Sequence, residues 1–323
     1  MEFMVLADTA EKIRSMEIRG AGRIARAAAE ALISQARESG AADLPAFVKD
    51  MNHAADLLLA TRPTAVSLPN AIHQVMGPLA HAHSIDEAKD EVIRAGEKFV
   101  LASLHAVEHI GEIGARHIRN GDVVLTHCNS EAALACLFEA HRQGTDFMVF
   151  ATEVRPLNQG VITIKALDHA GIETNFIVDS AVRYFMKEID MVIVGADAIT
   201  VNGAIVNKIG TSQIALAANE ARVRMLVAAE TYKFAPRTIL GELIEIEERE
   251  SGEVLDEAML RNLSHVRVRN PAFDVTPADY VDLIVTEEGA IPPQMAYIII
   301  RDYLGWGIEE FHKEFGVHYH DQE

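Results

Sequence analysis

The chain is poor in cysteine and in positive charge, and it has no long apolar run. Only Cys128 and Cys136 occur among its 323 residues, so a disulfide-stapled fold is excluded and no Cys/His cluster has zinc-ligand spacing. The two cysteines flank an expected strand-to-helix turn, a poor placement for pairing with each other, and at least one is expected to be a free thiol. Lys and Arg number 29 against 48 Asp and Glu, a formal net charge of -19. Such a surface repels nucleic acid and anionic membranes at long range, so neither is an expected partner. An anionic substrate would then need a local basic pocket, which gives weight to each arginine or lysine in a loop. No apolar stretch approaches the roughly 18 residues that cross a bilayer. Met1 to Arg14 carries Asp8 and Glu11 instead of a basic start and an apolar run. No membrane span and no secretion signal are expected, and a cytoplasmic location is.

What is present falls into two textures. As far as about Asn120, apolar positions recur at helical spacing, as in Ile24, Ala28, Leu32 and Ala55, Leu58, Leu59. Thr61 to Gly77 interrupts this with Pro63, Pro69 and Asn70 and reads as a loop or turn. A long helix is expected from Ile85 to Arg119, with a break near Gly111. From Gly121 the pattern becomes short apolar runs bounded by turn residues: Val123–His127, Phe147–Thr152, Thr174–Val178, Met191–Val194, Arg224–Ala228 and Leu283–Val285. Helical stretches, Ser130–Gln143, Ala181–Lys187 and Thr211–Arg222, lie between most of them. Apolar strands alternating with helices imply a parallel sheet covered on both faces. The fold class is therefore α/β: a helical N-terminal domain over residues 1–120 and a Rossmann-like parallel-sheet domain over 121–323.

Ligands of parallel α/β sheets bind beyond the carboxyl ends of the strands. Polar and reactive residues gather there: Cys128-Asn129-Ser130, Glu153 and Arg155, Asp179-Ser180, Asp197, Glu230 to Lys233, and Glu287. Cys128 has two readings. Amides at the start of the next helix would lower its pKa and make it a base or nucleophile, or it is a small buried hydrophobe. Cys136, among Ala133, Leu134 and Leu137, reads as core. Asp197 ends the most apolar strand and is either a general acid or base with a raised pKa, or a turn former. Asp179 reads as a cap. Asn202-Gly203 favours a tight hairpin, followed by a polar loop in which Asn207 and Lys208 precede a helix. Lys208 with free backbone amides suits a phosphate or sugar hydroxyl, and a solvated lysine is the alternative. Arg19-Gly20-Ala21-Gly22-Arg23 and Thr61-Arg62-Pro63-Thr64 are further weak anion signals. His105, His109 and Glu112 share a helix face without the HExxH order and read as solvated.

Eight strings occur in one order: RGAG at 19–22, TRPTAVSLP at 61–69, THCNS at 126–130, TEVRP at 152–156, GADAIT at 195–200, NGAIVNKIG at 202–210, AETYKF at 229–234 and NPAFDVTP at 270–277. Together they resemble the superfamily of methylthioribose-1-phosphate isomerase, archaeal ribose-1,5-bisphosphate isomerase and the regulatory subunits of translation initiation factor 2B. RGAGRIARAAA, TEVRP and AETYKF look most like the ribose-1,5-bisphosphate branch. The resemblance implies an aldose–ketose isomerase with no metal or nucleotide cofactor and AMP as an activator. It also implies a homo-oligomer, a hexamer built as a trimer of dimers. By matching strings it implies catalytic roles for Cys128 and Asp197. It implies substrate contacts by Arg19, Gly20, Ala21, Gly22, Arg62, Ser130, Asn207, Lys208 and Lys233. Glu131, an acid beside Ser130, fits a phosphate clamp poorly. The methylthioribose enzyme and a non-catalytic binding subunit are the alternatives that the resemblance carries.

Overall fold

The computed structural model describes residues 3–18, 20–62 and 65–306. The chain divides into two compact units, Met1–Ala106 and Val107–Glu323.

The first unit is helical, with α1 (Phe3–Arg14), α2 (Ala21–Glu38), α3 (Leu44–Leu59), α4 (Ser67–Met76) and most of α5 (Ile85–Ala115). In α2, Ala25, Ala28, Ala29, Leu32 and Ala36 recur at helical spacing and are buried. Small side chains there let neighbouring helices approach closely. Asp43 starts α3 by accepting a hydrogen bond from the Ala46 amide at 2.9 Å.

Two expectations for this unit are corrected. The stretch read as a loop to Gly77 contains α4. Pro69 falls in the first turn, where no amide has an intrahelical partner, so the helix tolerates it. Helix α5 also runs unbroken through Gly111. A Cβ on Gly111 would meet the Ala135 carbonyl oxygen at 3.0 Å, and one on Gly114 would meet Cys136 Sγ at 2.2 Å. The glycines are there for close packing, not for a break. That packing places the last turns of α5 in the second unit. The division thus falls at residue 106 and not at the expected 120.

The second unit runs β1 (Val123–Thr126), α6 (Glu131–Arg142), β2 (Met148–Thr152), α7 (Gly160–His169), β3 (Thr174–Ile177), the short α8 (Val182–Phe185) and β4 (Met191–Gly195). It continues with β5 (Ala198–Ile199), β6 (Ile205–Lys208), α9 (Thr211–Ala221), β7 (Arg224–Ala228), the short α10 (Glu257–Leu260), β8 (Phe273–Thr276), β9 (Leu283–Thr286), β10 (Gly289–Ile291) and α11 (Ala296–Asp302). The main sheet has the order β10-β9-β7-β4-β1-β2-β3 and is parallel except for β10. Every residue of β4 is buried, as a central strand covered on both faces requires. Apolar clusters lie on the two faces, one including Leu125, Val192, Val194 and Ile214, the other Val124, Leu137, Ile193 and Leu226. Each fully buried Leu or Ile there contributes about 1.5–3 kcal/mol.

A second sheet, antiparallel β5-β6-β8, stands apart. The hairpin at Asn202-Gly203 joins β5 to β6, so Ile205–Lys208 is a strand and not the expected loop. Its pairing with β8 comes from far along the chain.

Candidate active site

Strands β2 and β3 continue to one side of β1, whereas β4 returns to its other side. The strand order reverses between β1 and β4, which is where open α/β sheets form a crevice. Cys128 follows β1 and Asp197 follows β4. The two strands are hydrogen-bonded neighbours in register Val124↔Met191 and Leu125↔Val192.

Cys128 adopts φ 69, a region that costs a residue other than glycine about 1–3 kcal/mol. Two neighbours hold it there. The Thr163 hydroxyl on α7 donates to the Cys128 carbonyl at 2.8 Å, and the thiol faces Gln159 Oε1 at 3.7 Å. Burial pushes the thiol pKa up to about 11. Lys208 and the Asn129 amide pull it down, while Asp197 and Asp179 push it up. The expected lowering by helix amides is therefore overturned, because desolvation outweighs it. Lys208 and Asp197 are both close enough to act on this sulfur.

Asp197 is half-buried, and its amide donates to the Val206 carbonyl at 2.9 Å, which ties the end of β4 to the small sheet. Ser130 caps α6 by accepting from the Ala133 amide at 3.2 Å. Its hydroxyl lies where a side chain on Gly195 would be, 2.3 Å from that position, so a glycine at the end of β4 is required.

Asn207 is buried and donates to Thr211 Oγ1 at 3.0 Å. Lys208 ends β6 with its ammonium 4.6 Å from the centre of the Phe273 ring. Two of the amides at the start of α9 that were expected to be free are taken. Asp274 on β8 accepts from Gly210 at 2.8 Å and from Ser212 at 3.1 Å. Burial pushes the Asp274 carboxyl up to about 6, against the pull of those amides.

Lys233 is buried and paired with Glu230 at 2.6 Å. Burial works against its charge, but Glu230, Asp197 and Glu131 hold its pKa above the ordinary lysine value. Glu131 itself is exposed. Glu287 accepts from the Thr231 hydroxyl at 2.6 Å and fixes the turn that carries Lys233. Asp179 accepts the amides of Val154 and Arg155 at 2.9 and 2.8 Å, an anchoring role after β3.

Thus Lys208 and Asp197 act electrostatically on Cys128, and Asp197 acts on Lys233; Ser130 and Asn207 belong to the same second unit. Gly20, Ala21, Gly22 and Arg62 belong to the first unit. Gly20 precedes α2, Ala21 and Gly22 form its first turn, and Arg62 follows α3. Arg19, Pro63 and Thr64 lie outside the described residues. His105, His109 and Glu112 are exposed, and no group of three metal-ligating side chains is found among the described residues.

Sequence reasoning missed His127, Gln159, Thr163 and Asp274. His127 is fully buried, with Nδ1 2.6 Å from Thr152 Oγ1 and Nε2 2.9 Å from the Ile209 carbonyl. Its place directly before Cys128 was the available signal.

A thiol and a carboxyl at the ends of adjacent strands, each acted on by a lysine charge, suit acid–base chemistry on a small anionic substrate. The chain belongs to the Initiation factor 2 subunit family, which it matches over residues 17–293. It is 57% identical over 304 residues to the ribose 1,5-bisphosphate isomerase of Archaeoglobus fulgidus, covering 94% of this chain and 95% of the relative. The protein of that name from Methanocaldococcus jannaschii is 54% identical, with 94% and 97% covered. The methylthioribose-1-phosphate isomerase of Geotalea uraniireducens is more distant, at 39% with 90% and 88% covered. Among solved structures, translation initiation factor eIF-2B of Pyrococcus horikoshii superposes with a TM-score of 0.76 at 31% identity, covering 89% of this chain and 97% of that one.

Proposed function

We propose that the chain converts ribose 1,5-bisphosphate to ribulose 1,5-bisphosphate, with Cys128 and Asp197 as its proton-transfer pair. The observation that carries this reading is the placement of the two residues at the ends of adjacent strands where the strand order reverses. The high identity to relatives bearing that enzyme name supports the choice of substrate.

An anomeric phosphate blocks spontaneous ring opening, so the enzyme must open the ring itself. The Asp197 carboxylic acid donates its proton to the ring oxygen as the C1–O bond breaks. The Cys128 thiolate takes the C2 proton, which leaves an enol phosphate. Return of that proton from sulfur to C1, with loss of the 2-hydroxyl proton to the Asp197 carboxylate, gives the ketose and restores both groups. The resting thiol is protonated, since burial holds its pKa near 11. A charged Asp197 contributes to that elevation, so protonating Asp197 makes the thiol easier to ionise. On this reading one proton passes from the thiol to Asp197 before the ring opens and returns to sulfur when the cycle ends. Lys208 and Lys233 hold phosphoryl oxygens, each charge-assisted contact contributing about 1.5–3 kcal/mol.

Purified protein incubated with ribose 1,5-bisphosphate is expected to form the ketose, observed by NMR. Methylthioribose 1-phosphate under the same conditions is expected to stay unchanged. Turnover of the second sugar alone would reverse the assignment, and turnover of neither would favour a binding subunit.

A homo-oligomer belongs to this reading. Edge strand β3 and its surroundings expose Phe176, Val178 and Tyr184, an apolar surface suited to a second copy. Light scattering tests the hexamer, and initial rates with and without AMP test activation.

A further inference from the structure

We propose that His127 is a positioning residue: its ring ties the turn that follows Lys208 at the end of β6 to the strand end carrying Cys128, and so fixes the positive charge that the thiol meets. The inference rests on reading Cys128 as the reacting thiol, and it goes beyond that reading by naming what sets its surroundings.

The ring bridges two elements. Nε2 lies 2.9 Å from the carbonyl of Ile209, the residue after Lys208, and Nδ1 lies 2.6 Å from the hydroxyl of Thr152 at the end of β2. A carbonyl can only accept, so Nε2 carries the hydrogen and Nδ1 accepts from Thr152. Burial lowers the ring's pKa and keeps this neutral tautomer, with Lys208 acting in the same direction. The facing acid, Asp179, is 3.9 Å from Nδ1 and acts the other way.

The bridged loop has little slack. A Cβ on Gly210 would stand 3.2 Å from the imidazole, so the backbone already lies against the ring. From the other side Asp274 holds the Gly210 and Ser212 amides. Residues 209–212 are held by an imidazole that donates to a carbonyl and a carboxylate that accepts from two amides. Lys208 leads into that segment, and its charge lowers the pKa of the Cys128 thiol. His127 is bonded to Cys128 through one peptide and to Ile209, the residue after Lys208, through one hydrogen bond.

The test reads the thiol and not the sugar, so it stands whichever substrate is turned over. Iodoacetamide alkylation of Cys128 is followed by mass spectrometry of its peptide, at one fixed pH. His127→Asn reaches Thr152 but not Ile209, and should slow alkylation by about 3–10-fold as Lys208 drifts from the sulfur. His127→Gln, with an N–H near the place of Nε2, should restore the rate to within about twofold. In a Lys208→Gln background His127→Asn should add less than about twofold, because the two act through one charge. A purely structural role predicts the opposite sign, since a loosened site exposes the thiol and speeds its reaction. Equal slowing in both backgrounds, or faster alkylation in His127→Asn, overturns the proposal. If His127→Asn does not fold, Thr152→Val, which frees the other end of the ring, is judged by the same outcomes.

Discussion

Cys128 and Cys136 bracket the turn into α6, and their surroundings are opposite. Cys136 lies within α6, where its thiol donates to the carbonyls of Ala132 at 3.3 Å and Ile110 at 3.5 Å. Burial alone pushes it up to about 12, and no charged group moves it. Cys128 is pushed up to about 11 by burial too, but Lys208, Asp197 and Asp179 all act on it. Burial therefore raises both sulfurs alike. What distinguishes Cys128 is the set of charged groups that act on it and a backbone held in a left-handed turn.

The sharpest break of this comparison is a pair of serines. Cys128→Ser should lower turnover by at least about 10²-fold with binding largely kept, the low end for loss of a general base. Cys136→Ser should leave turnover within about twofold and lower the melting temperature, since a hydroxyl replaces a packed thiol. Near-normal turnover in the first variant rejects the assignment of Cys128.

A smaller effect lies beneath Cys136. Gly114→Ala puts a methyl 2.2 Å from Cys136 Sγ and should cost about 1–3 kcal/mol by denaturant unfolding. Combining it with Cys136→Ala should recover part of that loss. Strict additivity of the two changes would show that α5 shifts freely, and the close packing would then not be what selects glycine.

The smallest effect is on pH dependence. The folded pKa of His127 is lowered from 6.5, so the unfolded chain binds the proton more readily. Stability from this group is full above about pH 6.5 and is lost as pH falls from there towards the folded value. Thermal melts of wild type and His127→Gln between pH 7.5 and about 5 should converge on acidification, with wild type losing more. Parallel melting curves would mean that the imidazole has the same pKa in the folded and the unfolded chain.

Much of the second unit was legible because its strands are buried on both faces. A run such as Met191–Val194 has no polar alternation to confuse it with a surface strand. The crevice rule then drew attention to Cys128 and Asp197 without knowledge of strand order. The small sheet was not legible, because β6 pairs with β8 and that partner is remote in sequence. Helix α4 was hidden by Pro69, whose meaning depends on which turn it occupies. His127 was hidden inside an apolar run, where a histidine reads as a strand residue until its hydrogen bonds are seen. The choice between the two readings of Cys128 was not legible, because local amides are visible in sequence and desolvation by distant segments is not.

Asp274 seated on the first amides of α9 has one more consequence. The chain has filled the positive pole of that helix with an internal anion, as if a ligand were permanently docked there. On the proposed reading, a phosphoryl group at this rim would be gripped by the long side chain of Lys208 and not by the two amides that Asp274 occupies, and such a grip can follow a substrate that changes from a closed ring to an open chain.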